Sequence, residues 1–343
     1  PLNYFTVEGL ARYVRISNEI VYQLAESFEH LAPNEKGEII TRVHLKPEAK
    51  WHDGSDFVAE DVRGYYILNH GTVTEYIYDI VAVDSKTVDF YWRPELEPRD
   101  EIKTMMLSQD KSGGVCYAVF KEYVDKCWEI IQSCEDVAED VLAPFGKRIS
   151  GEKMSQYTAN FQDYRNKKTD WFVGTGPYKL DLVSTTQMSL VRVEDYYDVE
   201  KVAFEKIKAI NGVNDLNTIY AQLEAGNIDY QDGTPAKDVL ERIISRNKNM
   251  AHYKIYDPGS IGMLFNLDND IWTDKVREAF QYIFDREQIK NISNYYGITS
   301  WLPMDSMAPG EARQYMSEEG WKYLNDNFTF SYNQAKAAEL LTE

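Results

Sequence analysis

The stretch that decides the fold is KPEAKWHDGSDFVAEDV, residues 46–62. The pattern before it predicts a strand, and its Asp53-Gly54 pair favours a turn. A helix is predicted to begin near Ala59, because two acidic residues follow and negative charge suits the positive end of the helix dipole. Few folds combine a Trp, an Asp-Gly turn and an acidic helix start in this order.

The composition is that of a folded, acidic protein of more than one domain. The chain has 343 residues, too many for one ordinary core. Hydrophobic residues make up 43% and charged residues 27%, which excludes disorder. A net charge of −19 would repel phosphate backbones, so nucleic acid is excluded as a partner. With 25 Tyr and 7 Trp, the chain suits pockets for polar organic ligands, although most such side chains pack in cores.

The three cysteines are Cys116, Cys127 and Cys134. Their odd number and the absence of a C-x-x-C pair argue against a zinc site or a disulfide framework. Cys127 and Cys134 would lie roughly 10 Å apart on an intact helix, which is too far for a disulfide bond. All three are therefore predicted to be thiols. No apolar run of about 18 residues and no signal segment occur in this sequence.

Hydrophobic periodicity predicts an irregular alternation of strands and helices, typical of mixed α/β domains. The predicted strands are 38–45, 77–83, 87–92, 178–183, 188–193, 204–210, 252–256 and 261–266, with another starting at 228–230. The predicted helices are 59–68, 101–107, 119–141, one capped by Asn214 or Asp215, one opened by Thr234-Pro235, one capped by Thr273, and 335–341.

Catalytic signatures are weak. The five histidines are scattered, no H-E-x-x-H occurs, and neither a metal site nor a cofactor is predicted. The Asp53-Gly54 turn lacks the order of a calcium loop. Acidic, aromatic-rich chains also bind sugars, so a carbohydrate-binding or glycoside-hydrolysing enzyme with paired carboxylates stays open as an alternative. The 56 acidic residues allow so many pairs that spacing selects none.

Five segments together resemble the family 5 extracellular solute-binding proteins of ABC importers, which bind oligopeptides, dipeptides or nickel. These segments occur in the same order as in that family and extend over nearly the whole chain. They are VEGL (7–10), LAESF (24–28), KWHDG with AEDV (50–54 and 59–62), GTGPY (174–178), and FN with DKVREA and DRE (265–266, 274–279 and 285–287).

The chain also departs from the family pattern. Val58 stands where a Thr usually caps the helix, which removes a bond worth about 1 kcal/mol unless Ser55 or Asp56 caps instead. Asn333 replaces an Asp that usually caps the helix at 335–341. A later W-x-x-D-Y-like segment has no match, so the chain is expected to be a fragment whose second lobe is incomplete.

The resemblance implies an α/β, two-lobed fold of the periplasmic-binding-protein type (class II, cluster C) with an inserted small subdomain. Lobe I is expected to comprise residues 1–29 and 160–258, and the inserted subdomain residues 30–159. A truncated lobe II is expected to start at 259 and run to 343. Pro258-Gly259 is the expected hinge.

The resemblance further implies a non-catalytic, monomeric, extracytoplasmic protein, either periplasmic or a cell-surface lipoprotein, without a cofactor. It would trap a small solute or peptide by hinge closure and deliver it to the membrane permease of an ABC importer. Main-chain groups would grip an extended peptide as an added strand. The expected ligand-binding residues lie in two segments and are Glu8, Gly9, Leu10, Tyr256, Ser260, Ile261, Gly262 and Met263.

Overall fold

The computed structural model describes residues 3–14, 19–108, 110–170, 172–210, 215–233, 235–253, 263–293 and 316–342. The chain divides into two compact units, Pro1–Gly212 and Val213–Glu343. Both units contain helices, and the described strands lie in the first unit, so the fold is mixed α/β as predicted.

The strands of the first unit are β1 Ala11–Val14, β2 Glu19–Tyr22, β3 Ala25–Leu31, β4 Ile39–Leu45, β5 Ile77–Asp84, β6 Thr87–Trp92, β7 Glu135–Asp136, β8 Lys147–Arg148, β9 Tyr178–Val183, β10 Gln187–Arg192 and β11 Lys206–Ile210. Its helices are α1 Asn3–Thr6, α2 Ala59–Leu68, α3 Thr72–Tyr76, α4 Asp100–Leu107, α5 Tyr117–Gln132 and α6 Gly151–Asp170. The helices of the second unit are α7 Leu216–Ala225, α8 Lys237–Arg246, α9 Asp274–Ile283, α10 Arg286–Ser293, α11 Glu318–Phe328 and α12 Gln334–Thr342.

The largest sheet is antiparallel, with strand order β3-β4-β6-β5. The predicted hairpin of β5 and β6 is confirmed, with Ile80 opposite Phe90 and Ile77 opposite Trp92. These four side chains are at most 1% exposed and lie in one continuous core. Phe90 and Trp92 are alternate residues of β6 and share a face, whereas a register shift between Ile77 and Asp79 brings Ile77 and Ile80 of β5 to the same side. That core also holds the apolar faces of α2, α5 and α6.

Helix α2 begins at Ala59 as predicted, but neither Ser55 nor Asp56 caps it. Val58 is the N-cap residue and has no side-chain oxygen. The side-chain hydrogen bond at this helix start is therefore made by a residue of the first turn. Asp61 accepts a hydrogen bond from the Val58 N–H (2.9 Å). A carboxylate in the first turn thus satisfies the Val58 N–H, but Val58 offers no acceptor in place of the Thr side chain.

The predicted helix 119–141 is wrong beyond Gln132. Arg93 is buried and donates to the carbonyl oxygens of Ala138 (2.7 Å), Glu139 (3.0 Å) and Val141 (2.6 Å). These carbonyls bind a guanidinium instead of helical N–H groups, so the segment is held as a loop. A long-range contact of this kind leaves no local signal.

Helix α6 was missed by the sequence reasoning. Its composition is polar on most faces, which hides a short aromatic stripe at Tyr157, Phe161 and Tyr164. That spacing is one helical face, and Tyr157 and Tyr164 are buried against the core while Phe161 packs at its edge. The Tyr157 hydroxyl donates to the carbonyl oxygen of Leu68 (2.8 Å), which ties α6 to the end of α2.

The second sheet of the first unit, β9-β10-β11, is antiparallel and confirms the predicted strands near 178–183, 188–193 and 204–210. The two hairpin strands β1 and β2 form a separate pair. The three cysteines are free and buried, as predicted.

In the second unit, α7 and α8 pack as a pair. Asp215 caps α7 by accepting from the N–H groups of Asn217 and Thr218, and Gly226 ends it with φ 74°. The predicted strand at 228–230 is wrong, since no neighbouring strand pairs with it in the described part of this unit. Residues 263–266 of the predicted strand 261–266 are also not a strand.

Helices α9 and α12 form the small core of the second unit around Ala279, Ala337 and Leu340. Thr273 caps α9 as predicted. Asn333 fulfils the capping role that the family gives to Asp, because its Oδ1 accepts from the Lys336 N–H (3.0 Å).

The proposed lobe and subdomain boundaries stay a prediction. The boundary at 29/30 falls inside β3, the one at 159/160 falls inside α6, and 258/259 lies outside the described residues. No helix in the described ranges is long and apolar enough to cross a bilayer.

Candidate functional site

The predicted binding segment Glu8–Leu10 contacts two other motif segments and one turn of the first unit. Gly113 N–H donates to the Glu8 carbonyl oxygen (2.9 Å), and Glu8 N–H donates to Thr175 Oγ1 (3.3 Å). Leu24 N–H donates to the Gly9 carbonyl oxygen (3.1 Å). The segment is therefore fixed by the family's LAESF and GTGPY motifs and by the 112–114 turn.

The Glu8 carboxylate is only 4% exposed and is held by two adjacent tyrosines. The Tyr196 hydroxyl donates to Oε1 (2.7 Å), and the Tyr197 hydroxyl donates to Oε2 (2.9 Å). The Gln23 amide also donates to Oε1 (3.3 Å). Burial nevertheless dominates and raises the pKa of Glu8 to about 7, because desolvation penalises the charged form more than these donors favour it.

A lysine completes this cluster. Lys46 Nζ lies 4.3 Å from the centre of the Tyr197 ring and donates to the Tyr22 carbonyl oxygen (3.2 Å). Its positive charge favours the ionised form of Glu8, while its own pKa is lowered by burial. The arrangement can accept or release a proton near neutral pH.

Gly9 allows another group to pack closely against its backbone. That group is Asp110 of the same chain. A Cβ on Gly9 would lie 2.3 Å from the Asp110 carbonyl oxygen, which only glycine avoids. Burial raises the pKa of Asp110 to about 7, and its Oδ1 accepts from the Leu10 N–H (2.6 Å). Whether Gly9 also contacts a ligand stays a prediction.

Leu10 is fully buried, and its carbonyl oxygen accepts from the N–H groups of Gln23 (3.0 Å) and Ala25 (2.9 Å). Its side chain and both of its main-chain groups are thus occupied within the protein. Met263, by contrast, is 52% exposed. The other predicted ligand residues, Tyr256, Ser260, Ile261 and Gly262, lie outside the described residues.

A cavity of about 260 Å³, including its opening to solvent, adjoins the cluster. Its lining combines aromatic and charged side chains, including Trp51, His52, Glu48, Asp195, Tyr196 and Tyr197. The part of it that a water-sized molecule can occupy is about 10 Å³, far below the roughly 300–1,000 Å³ of sites that enclose a drug-sized ligand. It has room for about one water molecule.

Sequence reasoning missed Tyr196 and Tyr197. The available signal was a pair of polar aromatics in a loop just after β10, flanked by Asp195 and Asp198. Nothing local indicates that both hydroxyls converge on Glu8, which lies 188 and 189 positions away. Among the described residues, no three His, Cys, Asp or Glu side chains are grouped so as to hold a metal ion.

Comparison with known families matches residues 19–343 to the bacterial extracellular solute-binding proteins, family 5 Middle. The chain belongs to this family. As a family 5 solute-binding protein it shares the mixed α/β fold of periplasmic binding proteins.

One similar curated protein is the oligopeptide-binding protein AppA of Bacillus subtilis, 24% identical over 330 residues, covering 93% of this chain and 50% of AppA. The structure of AppA in complex with a nonapeptide is similar with a TM-score of 0.56 and 20% identity, covering 98% of this chain and 57% of that one. Nonapeptide is thus a ligand of that protein.

Two further similar structures hold other ligands. NikZ from Campylobacter jejuni in complex with Ni(L-His) has a TM-score of 0.60 and 19% identity, covering 98% of this chain and 57% of that one. A mannohexaose-bound oligopeptide-binding protein from Thermotoga maritima has a TM-score of 0.61 and 16% identity, covering 98% and 56%. The family 5 chain described here spans about half the length of the curated relative it matches.

Proposed function

We propose that this family 5 protein captures an extracellular solute, an oligopeptide or dipeptide, between two hinged lobes and delivers it to the membrane permease of an ABC importer. Membership of the family over residues 19–343 is the observation that carries the proposal. A curated relative named as oligopeptide-binding supports peptide as the ligand class. The protein would act outside the cytoplasm, as a binding protein without catalysis.

In this proposal Glu8 is the residue of the first segment that meets the ligand. The two oxygens of its carboxylate are bound by the side chains of Tyr196, Tyr197 and Gln23, and these side chains can rearrange when a ligand arrives. The backbone groups of Gly9 and Leu10 would position Glu8, since the Gly9 carbonyl oxygen accepts from Leu24 and the Leu10 N–H donates to Asp110. The segment 256–263 would supply the remaining contacts.

A ligand ammonium group is the chemical partner that suits Glu8. Its charge would favour the ionised carboxylate and replace the hydrogen bonds of Tyr196 and Tyr197. Binding would then release a proton from Glu8, because the free carboxyl has a pKa of about 7.

The test is a thermal-shift panel on the protein with a nonapeptide, a dipeptide, Ni(L-His) and mannohexaose. A rise in midpoint with the peptides alone supports the proposal, and binding of these peptides should weaken about tenfold or more in Glu8→Ala. The exposed Glu26→Ala is the matched control, because it removes the same charge from the next motif. A rise with mannohexaose alone would replace peptide by sugar as the ligand class.

The alternative hypothesis, a glycoside-hydrolysing enzyme, is tested separately. Turnover of a glycoside panel that is abolished by a single carboxylate substitution would overturn the proposed binding function. Calorimetric titrations of the same peptides at pH 6 and pH 8, in buffers of different ionisation enthalpy, would report the proton that Glu8 is expected to release.

A further inference from the structure

Two cations lie over the ring of one exposed tyrosine next to the Glu8 segment. Arg12 Cζ is 5.5 Å and Lys111 Nζ is 4.9 Å from the centre of the Tyr4 ring. Tyr4 is 57% exposed, and both cations are exposed. The two positive charges are therefore at most about 10 Å apart, close to the Debye length of about 8 Å at physiological ionic strength.

The two cations lie together in a chain that is acidic overall. The chain has 56 acidic residues against 37 basic ones, so most cations could find a carboxylate. Lys46, Lys103 and Lys168, for comparison, all donate to oxygen atoms of the protein. Within the described ranges, by contrast, Arg12 and Lys111 are held by no ion pair and share one tyrosine ring. Two like charges kept together without an anion repel each other, which costs stability.

The positions of all three side chains are set by the buried framework of the site. Helix α1 carries Tyr4 and is anchored because the Gly176 N–H donates to the Thr6 carbonyl oxygen (3.0 Å). Lys111 follows Asp110, whose carboxylate binds the Leu10 N–H. Arg12 lies in β1, two residues after Leu10. Tyr4 and Arg12 thus lie on the segment that carries Glu8, and Lys111 lies on a second segment that is hydrogen-bonded to it.

We infer that Tyr4, Arg12 and Lys111 form a carboxylate-binding site for the ligand. This inference rests on the proposed solute-binding function and deepens it, because it assigns the ligand a negatively charged group. Guanidinium and ammonium groups bind carboxylates by charge-assisted hydrogen bonds, and both cations contact the Tyr4 ring, which keeps them near each other. The anion is either the terminal carboxylate of a peptide or an acidic side chain.

The first arm of the test needs no peptide. Succinate, compared with sodium chloride at equal ionic strength, is expected to raise the thermal midpoint of the wild-type protein by about 2 °C or more. The rise should vanish in R12Q/K111Q and persist in the charge-keeping R12K/K111R. The control K36Q/R99Q removes two exposed cations elsewhere in the first unit and should keep the full rise. Equal rises in wild type and R12Q/K111Q would overturn the inference.

The second arm identifies the source of the carboxylate. Calorimetry would compare tetra-alanine, its C-terminal amide, and an Ala-Glu-Ala-Ala amide. Wild type is expected to bind tetra-alanine about tenfold more tightly than its amide, with no such difference in R12Q/K111Q. Recovery by the glutamate-containing amide would assign the site to side chains. If succinate acts through the two cations but no peptide binds, the peptide assignment fails while the carboxylate site stands.

Discussion

The His52 side chain donates from Nε2 to the carbonyl oxygen of Gly176 over 2.9 Å, across a sequence separation of 124 residues. Its other ring nitrogen, Nδ1, accepts from the Gly174 N–H (3.2 Å), so the proton must lie on Nε2. The His52 N–H also donates to the Gly174 carbonyl oxygen (2.8 Å). One histidine therefore fastens the KWHDG loop to the GTGPY turn, which in turn supports Glu8.

Replacing His52 by Ala is expected to lower the free energy of unfolding by about 2–4 kcal/mol, because it removes two hydrogen bonds and leaves Gly174 N–H and Gly176 C=O without these partners. Urea denaturation measures the change. His44→Ala, at a half-exposed site of the same unit, should change it by about 0.5 kcal/mol or less. Equal losses of unfolding free energy in the two variants would contradict the role of His52 in joining the KWHDG loop to the GTGPY turn.

The His52 clamp should also weaken in acid. Burial lowers the pKa of His52 below 6.5, assisted by Lys179 and opposed by the Gly176 carbonyl, Asp195 and Asp53. The unfolded chain therefore binds the proton first, and the stabilisation is complete above about pH 6.5 and lost as the pH falls. The difference in unfolding free energy between wild type and H52A should shrink below pH 6.5. A constant difference from pH 5 to 8 would count against the assigned tautomer.

Glu8→Gln should change the pH dependence of stability in the opposite sense. Since burial raises the pKa of Glu8 from 4.5 to about 7, the folded state holds the proton more tightly than the unfolded chain. The contribution of protonated Glu8 to the free energy of unfolding is complete below pH 4.5 and is lost as the pH rises towards 7. Wild type should lose on the order of 3 kcal/mol of unfolding free energy over this range, and E8Q should show no such decrease. Chemical denaturation between pH 4 and 8 measures this, with Glu26→Gln as the exposed control.

Gly174→Ala should destabilise the first unit severely, by about 3 kcal/mol or more. A Cβ at Gly174 would lie 1.9 Å from the Thr6 carbonyl oxygen, which is backbone and cannot move aside. Gly71→Ala is the matched control, since nothing lies within 4 Å of its Cβ and its φ is −117°. Comparable thermal midpoints for the two variants would show that α1 is not packed on this turn.

Asp61→Asn should cost about 2–4 kcal/mol, although the charge it removes is buried. Asp61 is 1% exposed and accepts from Trp51 Nε1 (3.0 Å), Val58 N (2.9 Å) and Tyr117 N (2.6 Å). An amide NH₂ would face one of these donors and leave it unsatisfied. Asp56→Asn, at an exposed site, is the control. Chemical denaturation of both variants at pH 7 measures the change in unfolding free energy. A neutral effect of D61N would contradict the three-donor arrangement.

Much of the fold was predictable because its signals are local. The start of α2 at Ala59, the hairpin of β5 and β6, and the caps by Asp215 and Thr273 each follow from a few neighbouring residues. The errors share a different cause. The end of α5 depends on Arg93, and the buried face of α6 depends on the core it meets.

The sequence by itself determined the family and the acidic α/β character, and it predicted a ligand-binding segment at Glu8–Leu10. Only the tertiary structure decided that Tyr196 and Tyr197 hold the Glu8 carboxylate, and that the space beside Gly9 belongs to Asp110. The residues around KWHDG proved to be framework, with Trp51 bound to Asp61 and His52 bound to GTGPY. The physical reason is that burial and long-range hydrogen bonds set the charge of a side chain, and both arise only when distant segments meet.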